Sequence, residues 1–288
     1  MRRLHVLLLG IALLGCTSER EVATPTTAAS ATSAAPAPSE PPSTSSTSTT
    51  SPTATTVPDT ITVLVTNDDG VDADGIDVLV RALSTIGWVE LVVVAPADDR
   101  SGTGDTTTAG TVSFDSASTP GGHPATAVQG YPADAVLVAL DRLGVQPDLV
   151  VSGINRGQNV GPSVEISGTI GAARTAARRG VPALATSAGG ASDRAPDYDT
   201  VAALVLEWLA AHRVALLAGE VPVRVLSINA PTCASGSSVR GLLEVTVLVD
   251  VPAGQEAAAT DCTSTAPAPP DDVTAMNRGF ATISDVGY

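Results

Sequence analysis

Three short polar segments each close an apolar run. Asn67-Asp68-Asp69-Gly70 follows Ile61–Thr66, Asp98-Asp99-Arg100-Ser101-Gly102 follows Leu91–Ala95, and Ser152-Gly153-Ile154-Asn155-Arg156-Gly157-Gln158-Asn159 closes the run that begins at Asp148. Adjacent carboxylates on a tight turn repel each other, and a cation that neutralises them makes the arrangement tolerable. Oxygen donors from Asp, Ser and Asn suit a hard ion such as Mg²⁺, Mn²⁺ or Ca²⁺. Asp68-Asp69-Gly70 on its own equally fits a turn that caps a helix. Farther along, Ser167-Gly168-Thr169 opens an Ala-rich run. Free N–H groups and the helix dipole at such a start attract an anion, phosphate above all, although a plain Ser cap has the same sequence. An anion site beside a hard cation is the arrangement for phosphoester chemistry.

These segments need a scaffold that brings strand ends together, and the hydrophobic pattern supplies one. Ile61–Thr66, Leu91–Ala95, Asp148–Ser152, Val181–Ser187 and Val223–Asn229 read as strands. Between them lie helical spacings: Ile76, Leu79, Val80, Leu83; Val136, Ala139, Leu140, Leu143; Thr169 to Arg179 with Gly180 as a C-cap; and Val201, Leu204, Val205, Trp208, Leu209. Near-continuous apolar strands alternating with helices predict an α/β fold with a mostly parallel sheet covered on both faces. Ligands bind such sheets at the carboxyl ends of the strands. The stretches Leu242–Val249 and Val273–Ser284 read as strands without crossover helices, forming a C-terminal β-hairpin extension.

At this point the chain resembles a family. Asn67-Asp68-Asp69-Gly70-Val71, Arg100-Ser101-Gly102, Pro132-Ala133-Asp134, Ser152-Gly153-Ile154-Asn155, Asn159-Val160-Gly161 and Ser167-Gly168-Thr169 stand in the order and rough spacing of the SurE phosphatases, which are 5′/3′-nucleotidases. The resemblance runs from about Ile61 to Ser187 and returns at Asp272–Ser284. It implies a Rossmann-like three-layer fold and a metal-dependent nucleoside monophosphate phosphatase with one divalent cation (Mg, Mn or Ca) per subunit. It places metal ligands on Asp68, Asp69, Ser101 and Asn155, phosphate contacts on Asn159, Ser167, Gly168 and Thr169, and the catalytic carboxylates on Asp68 and Asp69. It also implies a homodimer built partly from the C-terminal hairpin. The chain departs from the family pattern at Asp74, at Thr103-Gly104-Asp105, at Ser163 where an acidic residue is usual, and at Ile166 where Tyr is usual. These positions alter the substrate side and leave the four ligand positions intact.

Composition removes other classes. Of 288 residues, 15 are basic and 30 acidic, for a net charge of −15, which argues against a nucleic-acid duplex as partner. Aromatic residues make up 2%, too few for a base-stacking platform, and three His leave no His-rich metal site. Ala185-Thr186-Ser187-Ala188-Gly189 comes near a nucleophile elbow, with only His123 and His212 as bases.

The N-terminus reads as a leader. Arg2 and Arg3 precede an apolar stretch, Leu4–Leu14, too short to span a bilayer, and Leu13-Leu14-Gly15-Cys16 resembles a bacterial lipobox. Residues 1–16 are therefore expected to be a lipoprotein signal with Cys16 lipidated, the alternative being an ordinary signal peptide or signal anchor. The expected location is the outer face of the bacterial cell membrane. Residues 17–59, mostly Ala, Thr, Ser and Pro, have little to bury and read as a tether to a domain at 60–288. In an oxidising compartment Cys233 and Cys262 are expected to form a disulfide, the alternative being two thiols. A tethered, cation-dependent nucleotide-binding lipoprotein without turnover is the competing function.

Overall fold

The structure, a computed structural model, describes residues 59–190, 194–252 and 259–288. The leader with Cys16 and the tether up to residue 58 lie outside the described residues. Each strand end that carries a polar segment is at the same edge of one sheet. The strands are β1 (Ile61–Thr66), β2 (Val89–Pro96), β3 (Phe114–Ser118), β4 (Pro124–Val128), β5 (Leu149–Arg156), β6 (Ala183–Ala188), β7 (Val225–Ala230), β8 (Leu242–Glu244) and β9 (Ala281–Asp285). Their order in the sheet is β3-β4-β2-β1-β5-β6-β7-β9-β8. β4, β2, β1, β5, β6 and β7 pair in parallel, and β3 and β9 pair antiparallel to their neighbours β4 and β7.

The alternation of side chains makes the layers. Val63 and Val65 point into one apolar cluster and Leu64 into the other; Val93 and Ala95 oppose Val94, and Leu149 and Val151 oppose Val150. The first cluster lies under α1 (Asp74–Leu83) and α4 (Tyr198–Ala218), the second under α2 (Pro132–Leu137) and α3 (Gly168–Arg178). Burial on both faces explains why these strands read as continuous apolar runs rather than alternating ones. α4 is long and apolar enough by length and composition to cross a bilayer, yet its Val201, Val205, Trp208 and Leu209 side chains are buried in the core. The fold is the α/β arrangement expected.

Two features differ from expectation. The hairpin β3–β4 was not legible, because its strands are short and mostly solvent-facing. The C-terminal β-hairpin extension does not form among the described residues. Residues 272–277 make a helix, α5 (Asp272–Asn277), whose start is capped by Asp271 accepting from the Thr274 N–H at 2.8 Å. β9 then inserts beside β7, and β8, only 3 residues long, pairs with it in parallel. Parallel neighbours cannot be joined as a hairpin.

Candidate active site

The sheet order turns at β1, whose neighbours are β2 on one side and β5 on the other. That is the topological switch point, where the loops from the two halves diverge and leave a crevice. Asp68 and Asp69 follow β1 and Asn155 ends β5, so the sheet itself places them at this crevice. The third segment joins them through the backbone: the Arg100 N–H donates to the Asp68 carbonyl at 2.7 Å.

Asp68 is buried, 3% exposed, and is held at the start of α3. Thr169 donates its hydroxyl to Asp68 Oδ1 at 2.5 Å. A Cβ on Gly168 would stand 2.8 Å from Asp68 Cβ and 2.9 Å from Oδ2, so only glycine lets the helix start approach this closely. Burial pushes the Asp68 carboxyl up from its ordinary range, against the lowering effect of the Thr169 hydrogen bonds. Asp69 Oδ2 accepts from the Arg156 N–H at 3.0 Å. Burial, and then the charge of Asp68, push Asp69 up to about 6. Asp99 raises both further. No Arg forms an ion pair with Asp68 or Asp69 among the described residues. The donor set therefore fits a hard divalent cation: a buried and a half-buried carboxylate side by side, raised despite the charge of Arg156 and without an ion-pair partner.

The remaining expected residues are placed as follows. Asn155 is buried and gives its Nδ2 to the Gly157 carbonyl at 2.7 Å, which fixes the amide's orientation. Ser101 is exposed and donates to Asp99 Oδ1 at 2.6 Å rather than to Asp68 or Asp69. Ser167 is the N-cap of α3, accepting from the Ile170 N–H at 3.2 Å. The Thr169 hydroxyl is committed to Asp68, so its direct part in this structure is to hold that carboxylate. Asn159 donates its Nδ2 to Ser187 Oγ at 3.0 Å.

Four nearby residues received no individual role from the sequence: Asp99 and Arg100, which stand in the second polar segment, and Tyr131 and Tyr198. Asp99 orients Ser101 by two hydrogen bonds, which hold its own carboxyl below the ordinary range. Tyr198, the first residue of α4, lies where burial and the charge of Asp69 push its phenol up to about 12, so it stays protonated. Arg100 and Tyr131 line a cleft of about 300 Å³. It borders the site, since Arg100 precedes Ser101 and Tyr131 precedes Pro132, whose Cγ would stand 3.1 Å from a Cβ on Gly168. Two of the altered positions are paired: the Gly104 N–H donates to the Ile166 carbonyl at 2.9 Å, and Ile166 is 62% exposed.

Ser187 has no path to a serine-hydrolase mechanism in this arrangement. It is fully buried in β6 and accepts from Asn159, while His212 stacks on Trp208 with its Nδ1 against the Trp208 carbonyl. His123 lies at the β3–β4 turn. Cys233 and Cys262 are joined in a disulfide with Cα atoms 5.7 Å apart.

Residues 63–258 match the family model described as survival protein SurE. The chain belongs to the SurE family. Curated SurE relatives include 5′-nucleotidase SurE 1 of Burkholderia lata, 38% identical over 187 residues, which are 62% of this chain and 67% of that protein. 5′-nucleotidase SurE of Halobacterium salinarum is 48% identical over 127 residues, 43% of this chain and 46% of its own length. That of Xanthomonas axonopodis pv. citri is 41% identical over 177 residues, 60% of this chain and 64% of its own length. The chain thus spans less than two thirds of the length of the latter two relatives. The crystal structure of the SurE protein from Aquifex aeolicus superposes with a TM-score of 0.61 at 24% identity, covering 78% of this chain and 93% of that one, which shows a shared SurE fold.

Proposed function

We propose that the protein is a divalent-cation-dependent 5′-nucleotidase that hydrolyses nucleoside monophosphates to nucleoside and phosphate. The observation that carries this reading is the Asp68–Asp69 pair. Two consecutive carboxylates are held at the switch point, both raised by burial and Asp69 also by the charge of Asp68, with the start of α3 packed against Asp68. The names of the relatives support the substrate class.

Asp68 and Asp69 would hold the cation, with Asn155 and Ser101 beside them. Bound there, a divalent cation supplies Lewis-acid polarisation of the phosphate and lowers the pKa of water. Thr169 and the Arg156 N–H keep the two carboxylates in fixed directions. The N-terminus of α3, with Ser167 and Gly168, offers its dipole to the phosphate, and Asn159 lies on the adjoining loop. In the reaction a water oxygen bonds to phosphorus, the bond from phosphorus to the nucleoside oxygen breaks, and the water's proton ends on the leaving alcohol or on phosphate. One of the two carboxylates near the crevice accepts that proton in transit. The cleft beside Arg100 and Tyr131 takes the leaving nucleoside.

The reading includes export and anchoring through a lipidated Cys16, supported by the leader sequence and by a disulfide of the kind found in oxidising compartments. It includes a homodimer, whose interface must use a surface other than a C-terminal hairpin. Light scattering tests this, and a monomer mass would remove the dimer. The binding-only reading is favoured by one observation, the altered rim at Gly104, Ser163 and Ile166. Chromatography of AMP incubated with the protein and Mg²⁺ separates the two. Conversion to adenosine supports the enzyme, and stoichiometric retention of intact AMP supports the binder.

A further inference from the structure

We propose that Asn229 and Asp272 are positioning residues that clamp the Asn159 loop from the C-terminal side of the sheet and so hold the phosphate side of the site. The inference rests on the proposed nucleotidase reading. Asn229, in β7, grips the backbone of Asn159 with both ends of its amide. The Asn159 N–H donates to Asn229 Oδ1 at 2.7 Å, and Asn229 Nδ2 donates to the Asn159 carbonyl at 3.3 Å. Asn229 Nδ2 also donates to Ser227 Oγ at 3.1 Å, which fixes which way the amide faces. Two residues on, the Gly161 N–H donates to Asp272 Oδ2 at 2.8 Å. The other oxygen of Asp272 accepts from the Leu248 and Val273 N–H groups at 2.9 Å each.

Both clamping side chains are 2% exposed. A buried carboxylate is costly unless its oxygens are hydrogen-bonded, and here backbone N–H groups from three segments do that. The loop is also flush against this region: Gly161 has φ +56, and a Cβ there would meet Val273 Cγ2 at 2.8 Å and the Leu248 carbonyl at 3.2 Å. Loops at strand ends carry function but are mobile unless tied down. This one leads from β5 through the 3-10 turn Gly161–Glu165 directly to Ser167, the cap of α3. Fixing Asn159 and Gly161 therefore fixes both the Asn159 side chain and the entry to the anion-binding helix start. Among the described residues no hydrogen bond joins either clamp to Asp68 or Asp69, so cation binding and phosphate binding should separate.

The test uses the full-length protein and the variants Asn229→Ala and Asp272→Asn. The readouts are kcat and KM for AMP, inhibition by inorganic phosphate, Mn²⁺ affinity and melting temperature. Loss of the clamp should raise KM and the phosphate inhibition constant together by about 10-fold, equivalent to about 1.4 kcal/mol. kcat should stay within about threefold and Mn²⁺ affinity unchanged. A purely structural role would lower the melting temperature and the active fraction, hence kcat, and leave KM and phosphate inhibition where they were; that result overturns the proposal. Should both variants fail to fold, hydrogen exchange on the unaltered protein decides. Protection of the 157–162 amides comparable to β7, reduced at this loop alone by Ser227→Ala, supports the clamp, and exchange at the rate of an open loop refutes it. Absence of AMP turnover by the unaltered protein would instead refute the nucleotidase reading, and the exchange measurement would still test the clamp.

Discussion

Replacing Asp69 by Asn should make the metal-free protein more stable while removing its capacity for turnover. The carboxyl stands at about 6 rather than 3.8, with burial the larger cause and the charge of Asp68 the next. The folded state therefore binds this proton more tightly than the unfolded chain does. The contribution of Asp69 to stability is greatest below about pH 4, declines as pH rises through about 6, and is flat above that. The difference between the two values corresponds to roughly 3 kcal/mol, and partial solvent screening of a half-buried group reduces this to roughly 1–2 kcal/mol. Asn keeps the shape and still accepts from the Arg156 N–H, so it mimics the neutral acid. In EDTA at pH 8, urea midpoints should place Asp69→Asn above the parent by roughly 1–2 kcal/mol. At pH 4 the gap should nearly close. With saturating Mg²⁺ the order should reverse, because only the parent gains the full stabilisation that binding to the native state provides. A variant less stable than the parent in EDTA at pH 8, or a difference that does not change with pH, would refute this reasoning.

Other outcomes follow from the same geometry. Gly168→Ala drives a methyl into Asp68 and should lower Mn²⁺ affinity and AMP turnover by at least about 10-fold, with a loss of roughly 1–3 kcal/mol of stability from the overlap; unchanged metal titration by the folded variant would contradict it. Reducing the Cys233–Cys262 bridge, with a sequence separation of 29, should cost roughly 3 kcal/mol on the chain-entropy account, read as a fall in urea midpoint. Ser187→Ala should keep AMP turnover within about 10-fold, because the hydroxyl only accepts from Asn159; complete loss in a folded variant would return the serine-nucleophile reading.

The parts of the site that lie next to each strand in sequence were legible, because apolar strands and the polar segments after them are local signals. Asp68-Asp69 after β1 and Asn155 at the end of β5 needed only the general rule for parallel sheets. Ser167 at the start of α3 needed only a capping signal. What escaped depends on contacts across the fold. Asn229 reaches Asn159 across 70 positions and Asp272 reaches Gly161 across 111, and nothing in either residue's neighbourhood marks it. The closeness of Gly168 to Asp68 likewise appears only when α3 is docked. The C-terminal error was local instead. Val273 to Ser284 contains enough β-branched residues to read as strand, but Asp271 three residues before Thr274 is a helix cap, and that cap prevails at Asp272–Asn277. The β3–β4 hairpin was missed because its exposed strands, FDSAS and PATAV, lack an apolar run.

The most direct test of the central claim is release of inorganic phosphate from AMP by the purified protein in Mg²⁺ or Mn²⁺, then in excess EDTA, then with the cation restored. The Asp68–Asp69 pair predicts release with the cation, loss with the chelator and recovery on restoration, with Asp68→Asn inactive throughout. Undiminished release in EDTA, or no release from a folded protein that binds the cation, would contradict it.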